Sequence, residues 1–216
     1  MRIRPAAIGT AAALVLGGAV ASCRAVGNDA PIVRPGAPGE ASRTITTEKA
    51  TDLSGVRHTP ADVRFMQGMI GHHAQAVEMT ELVRARSHRD EMRLLAQRIQ
   101  LSQADEITMM QRWLQRRGEQ APSEHAHHAP GATLMPGMLS PEEMNRLTAA
   151  TGDEFDRLFL ELMIKHHDGA LTMVMDLFAN PRAGQESEIF AFASDVDADQ
   201  RIEIDRMSAM LSELKK

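Results

Sequence analysis

A helical pattern ending in paired histidines occurs twice in this chain, and that repetition limits the fold more than any other feature. Phe65-Met66-Gln67-Gly68-Met69-Ile70-Gly71-His72-His73 aligns with Phe159-Leu160-Glu161-Leu162-Met163-Ile164-Lys165-His166-His167, 94 residues later. Asp62, Ala76 and Met79 meet Asp156, Ala170 and Met173 in the same register. The helices that follow repeat too. Gln103, Glu106, Ile107, Met110 and Leu114 match Gln200, Glu203, Ile204, Met207 and Leu211, 97 residues on. Two copies of a helix pair mean two similar hairpins. Each carries an apolar stripe that it cannot bury alone, so packing one on the other makes an all-α four-helix bundle.

The element boundaries follow from local chemistry. Thr59-Pro60-Ala61-Asp62 offers an N-cap residue, Pro at the first helical position and an acid at the third. Helices are predicted from about Pro60 to Ser87 and from about Arg89 to Arg117, forming repeat one over 59–117. Repeat two, over 151–216, runs to about Ala179, breaks at Asn180-Pro181, and resumes from about Gln185 to Leu214. Between them, 118–150 holds a long crossover loop with Pro122, Pro130 and Pro136. A short helix capped by Ser140-Pro141-Glu142-Glu143 completes it.

The first residues have a different character. Arg2 and Arg4 precede an apolar, Ala-rich stretch from Ala6 to Ala21, then Val20-Ala21-Ser22-Cys23. A charged start, an apolar run and small residues before a cleavage point make residues 1–22 a signal peptide. Cys23, the sole cysteine, stands where a bacterial lipobox places the thiol that is lipidated, so an extracytoplasmic, membrane-anchored protein is expected. Residues 24–57, with Pro31, Pro35 and Pro38, are read as a flexible tether. The bundle domain then occupies 58–216.

Charge narrows the partners. Loss of Arg2 and Arg4 takes the formal charge from −5 to −7. Nucleic-acid binding needs a basic face, so it is not expected. With Cys23 lipidated, no thiolate remains, and a metal would have to be held by His, Met, Asp, Glu or backbone. Neither a Ser-His-Asp arrangement nor a Gly-rich phosphate loop points to a hydrolase or nucleotide enzyme.

Helical phase places the chemistry. At 100° per residue, His73 falls within about 20° of Met66 on the core stripe, while His72 falls about 120° away at its edge. His167 and His166 take the corresponding core and edge positions. The partner helices carry Gln103 and Glu106, and Gln200 and Glu203, on otherwise apolar faces. A buried carboxylate needs a partner, so a polar layer of His73, His167, Glu106 and Glu203 is predicted inside a Met-rich core. These groups serve either as metal ligands, as acceptors orienting the histidines, or as structural pairs fixing the register.

The methionines favour a metal. The chain has 15 Met against 6 Phe, and Met66-x-x-Met69 sets two thioethers on one helix face. Thioether with imidazole suits Cu(I) or Ag(I), whereas carboxylate suits harder transition metals. Met is also a good core filler. Di-iron bundles use Glu-x-x-His on facing helices, but here the helical motif is Met-x-x-His, twice, through Met69 and Met163. In the crossover, His125, His127 and His128, with Met135 and Met138, form a separate candidate that could capture metal for the core.

The doubled Phe-x-x-x-Met-Ile-x-His-His-x-x-Ala-x-x-Met segments, each followed by a Gln-x-x-Glu-Ile helix, resemble the bacterial family called domain of unknown function 305. The resemblance covers about residues 58–216 and implies a ferritin-like bundle. Some members of that family are periplasmic copper-binding proteins acting in metal resistance. The resemblance therefore implies metal binding by Met66, Met69, His72, His73, Met79, Met163, His166, His167 and Met173. This chain has Leu160 where repeat one has Met66.

The leading expectation is a lipoprotein that buffers or passes Cu(I) without turnover, with a homo-oligomer or a metal-transfer partner left open. A metal-dependent oxidoreductase using the His–Glu layer is the second reading. A metal-free, membrane-anchored interaction module is the third.

Overall fold

The computed structural model describes residues 31–34, 41–51, 56–129, 131 and 133–214. The signal segment, Cys23 and parts of the tether lie outside the described residues. The chain divides into two compact units, 1–52 and 53–216. In the first unit, β1 (Ile32–Arg34) pairs antiparallel with β2 (Arg43–Ile45), matching Ile32 with Ile45, and α1 (Thr47–Thr51) follows. The segment read as a tether thus contains short regular elements.

The second unit is the four-helix bundle that the repeat requires. Its long helices are α2 (Pro60–Arg86), α3 (Asp90–Arg116), α5 (Gly152–Ala179) and α6 (Ser187–Leu214), with the short α4 (Pro141–Ala149) ahead of α5. α2 pairs with α3, α5 with α6, and the two hairpins meet along α2 and α5. The predicted caps are in place. Asp62 N donates to Thr59 Oγ1 at 3.3 Å, and Thr59 N donates to Asp62 Oδ2 at 2.6 Å. Ser140 and Glu143 repeat this box ahead of α4. The crossover is not wholly irregular, because Glu124–His128 forms a 3-10 turn. Among the described residues no helix is long and apolar enough to cross a membrane.

Repeat-related aspartates tie each hairpin to the turn of the other. Asp62, fully buried, accepts from Gly184 N at 2.7 Å in the α5–α6 turn. Its counterpart Asp156 lies 3.3 Å from Arg89 Nε beside the α2–α3 turn. Losing a cap and a buried bond to a charged acceptor together should cost about 2–4 kcal/mol. Asp62→Ala is therefore expected to lower the chemical-denaturation midpoint by that equivalent. A change below about 0.5 kcal/mol would mean that the Gly184 turn is held by other groups.

The core has two apolar halves. One gathers Met66, Met69, Ile70, Met110, Trp113, Met173 and Phe192. The other gathers Met79, Met92, Leu95, Ile99, Phe155, Phe159, Leu160 and Met163. A fully buried side chain of this size contributes about 1.5–3 kcal/mol. On all four helices the boundary between the halves falls at the paired histidines and at the Gln and Glu positions of α3 and α6.

Candidate metal centre

That boundary is a polar layer. His73 Nε2 lies 2.6 Å from Glu106 Oε2, and His167 Nε2 lies 2.7 Å from Glu203 Oε2. The four residues of the expected polar layer thus pair within each repeat, His73 with Glu106 and His167 with Glu203. The carboxylates differ from expectation in depth. The Glu106 and Glu203 side chains keep 21% and 13% of their surface exposed, so they reach from the buried imidazoles toward water. Burial pushes Glu106 up, but its bonds from His73 and Ser102 outweigh that and hold it below the usual carboxylate range. At the same edge, Asp199 is raised by its own desolvation and by Glu106 and Glu203.

His72 and His166 depart from the expectation of an edge position. Both are buried, and their ring centroids stand 3.8 Å apart at an interplanar angle of 42°. Helical phase set them at the stripe's edge, but that edge is covered by the contact between α2 and α5 and by the crossover. Pro136 O accepts from His72 Nε2 at 3.0 Å. Burial, then the neighbouring His73, pushes His72 down to about 3, so its ring is neutral. Burial and the three other imidazoles likewise hold His166 well below its ordinary value.

These bonds fix tautomers. Carbonyl and ionised carboxylate oxygens only accept, so Nε2 carries the proton in His72 and in His73. The carboxylate of Glu203 does the same for His167. The Nδ1 atom of each of these rings is buried without a partner, and in His72, held neutral by burial, it carries a lone pair. In His166 both ring nitrogens lack one. Each buried polar atom left unpaired costs about 1–3 kcal/mol. A ring held through one nitrogen on an oxygen, with the other free, is the arrangement of metal-binding histidine.

The asymmetry between His72 and His166 has a structural cause. Gln75 and Gly169 are equivalent in the repeat, and the single crossover uses them differently. Gln75 donates to Leu139 O at 3.0 Å and accepts from Leu139 N at 2.7 Å. At Gly169 the backbone of Pro136 and Gly137 packs so closely that a Cβ would overlap the Pro136 carbonyl. The loop thus supplies an acceptor to His72 and none to His166.

The predicted methionines fall on both sides of the layer. Met66, Met69 and Met173 lie in one apolar half, and Met79 and Met163 in the other. Buried Gln103, on both amide atoms, and Gln200, on its carbonyl oxygen, lack partners. The five loop candidates do not come together. A Cβ at Gly68 would stand 3.2 Å from Met135 Sδ and 3.4 Å from Met173 Cε, so Met135 joins the core side. Met138 is buried, and its sulfur accepts from Met135 N at 3.4 Å. His125, His127 and His128 instead gather on Glu78 of α2, a residue that sequence reasoning missed. Loop docking brings Glu78 into play, and no local pattern announces it.

The family model for the domain of unknown function DUF305 matches residues 62–211. The chain belongs to the DUF305 family. Solved DUF305 structures share the fold. One from Streptomyces coelicolor is 32% identical with a TM-score of 0.61, covering 72% of this chain and 94% of that one. A DUF305 fragment from Deinococcus radiodurans is 33% identical with a TM-score of 0.62, covering 72% and 98%. CopM in its Cu(I)-bound form is 26% identical with a TM-score of 0.56, covering 70% of this chain and 96% of CopM. CopM has also been solved with Cu(II) and with Ag. No protein of curated function matches the chain.

Proposed function

We propose that this DUF305 protein holds copper, as Cu(I), at the buried histidine layer and buffers or passes on the ion without chemical turnover. The observation that carries the reading is the set of buried, unpartnered imidazole nitrogens. His72, His73, His166 and His167 each keep at least one unpartnered, buried ring nitrogen. Five such atoms, two of them on His166, oppose folding by about 5–15 kcal/mol, comparable with the net stability of a domain. A bound cation would offset that cost. His72 and His166, held neutral by burial, suit metal binding, because a protonated ring has no lone pair.

The thioethers set the preference. Met66, Met69 and Met173 belong to one apolar half and Met79 and Met163 to the other, and imidazole with thioether favours a soft ion. Leu160 in place of a second Met66 makes the two halves unequal donors. Glu106 and Glu203 orient His73 and His167 from the rim. CopM, with the same fold, binds copper and silver. The Cys23 motif completes the proposal with an extracytoplasmic, lipid-anchored location.

X-ray absorption on the Cu(I)-loaded protein tests the ligand set. The expected first shell contains imidazole nitrogen together with thioether sulfur. A shell of nitrogen and oxygen without sulfur would place the copper outside the core.

A further inference from the structure

We propose a second metal site, formed by Glu78 with His127 and His128 and rimmed by His125, that takes a borderline divalent cation, Cu(II) first. One ligand atom from each of Glu78, His127 and His128 lies within 4.8 Å of the others. His128 Nε2 stands 2.9 Å and His127 Nε2 3.5 Å from Glu78 Oε1, with His125 Nδ1 at 3.2 Å. Donors bound about 2 Å from one ion stand roughly 3–3.5 Å apart, so little movement is needed to close the set.

His127 is the decisive member. Its side chain is only 6% exposed although it belongs to a surface turn. Its Nδ1 donates to Glu124 O at 2.9 Å, which fixes the tautomer and leaves the lone pair on Nε2. That Nε2 is buried and unpartnered, and it faces the Glu78 carboxylate at a distance too long for a hydrogen bond. The turn is itself anchored, since Gln111 Nε2 donates to Glu124 Oε1 at 2.9 Å on α3. A ligating imidazole held through its other nitrogen is a built feature rather than a chance of loop composition.

The donor set chooses the ion. Two or three imidazoles and a carboxylate, without a thioether, suit Cu(II) and Zn(II) and disfavour Cu(I), and Cu(II) binds most tightly in the divalent series. The crossover's thioethers are not part of the set: Met135 packs against the core, and Met138 is buried with its sulfur on Met135 N. The two sites therefore differ in oxidation-state preference. This second site stands whether or not the histidine layer binds Cu(I).

The test is Cu(II) titration of the full-length protein, aerobically and against glycine as competing chelator, followed by electron paramagnetic resonance. Glu78→Gln, His127→Gln/His128→Gln and His72→Ala/His166→Ala are compared with wild type. The expected first equivalent shows a nitrogen-coordinated Cu(II) signal. Glu78→Gln weakens it at least about tenfold, the loop double variant abolishes it, and the core double variant keeps it. Unchanged affinity in folded Glu78→Gln, or loss of the signal only in the core variant, overturns the proposal.

Discussion

Gly169→Ala is expected to destabilise the bundle by about 3 kcal/mol, although alanine is the better helix former by about 1 kcal/mol. The added methyl meets the Pro136 carbonyl and the Gly137 Cα. Both are backbone atoms, so no rotamer change relieves the overlap. Gly137 cannot easily yield either. It sits at φ 76°, and a Cβ there would stand 2.6 Å from Lys165 O. The crossover must lift from α5, taking with it the carbonyl that holds His72. The loss is read as a lowered denaturation midpoint with faster hydrogen exchange at Leu139, whose N–H is bonded to Gln75. A variant as stable as wild type would show that the crossover is not seated on Gly169.

Mild acid should destabilise the metal-free protein through its two central histidines. In the unfolded chain His72 and His166 take protons near their ordinary 6.5, whereas burial holds the folded His72 to about 3 and the folded His166 well below ordinary. The unfolded state thus binds more protons as soon as the pH falls below 6.5, and stability declines with falling pH. The loss is about 1.4 kcal/mol per pH unit for each histidine. Stability is fully present above about pH 7 and erodes toward pH 4.5, ahead of any loss from Glu106. Denaturant melts between pH 7 and 4.5 measure this slope. A flat profile would mean that the two rings are solvated or already paired in the fold.

Much of this architecture is legible in the sequence because it rests on periodicity. The doubled Phe-to-His-His segment, with the matching Gln-to-Leu helices, implies two hairpins that bury each other. Helical phase, with the need of a buried carboxylate for a partner, gathers His73, His167, Glu106 and Glu203 in one polar layer. What phase cannot supply is the effect of a segment arriving from elsewhere. His72 and His166 look like edge residues until the crossover and the facing helix cover them. The positions that admit the crossover, Gln75 and Gly169, are equivalent in the repeat yet chemically unlike. Only the packed structure shows that one binds the loop through its amide and the other yields space to it. For the same reason Glu78 gives no sign of its role. It becomes the focus of His125, His127 and His128 only once the 3-10 turn docks on α2.

An anaerobic Cu(I) titration of the full-length protein against a colorimetric Cu(I) competitor, with His72→Ala/His166→Ala beside it, addresses the central proposal most directly. Orienting partners of metal ligands are worth about 10–100-fold in affinity, so removing two ligands should weaken Cu(I) binding more than about 100-fold. Circular dichroism of the variant is the check that it remains helical. Cu(I) affinity within about threefold of wild type in the folded variant would contradict the account and return the histidine layer to a purely structural role.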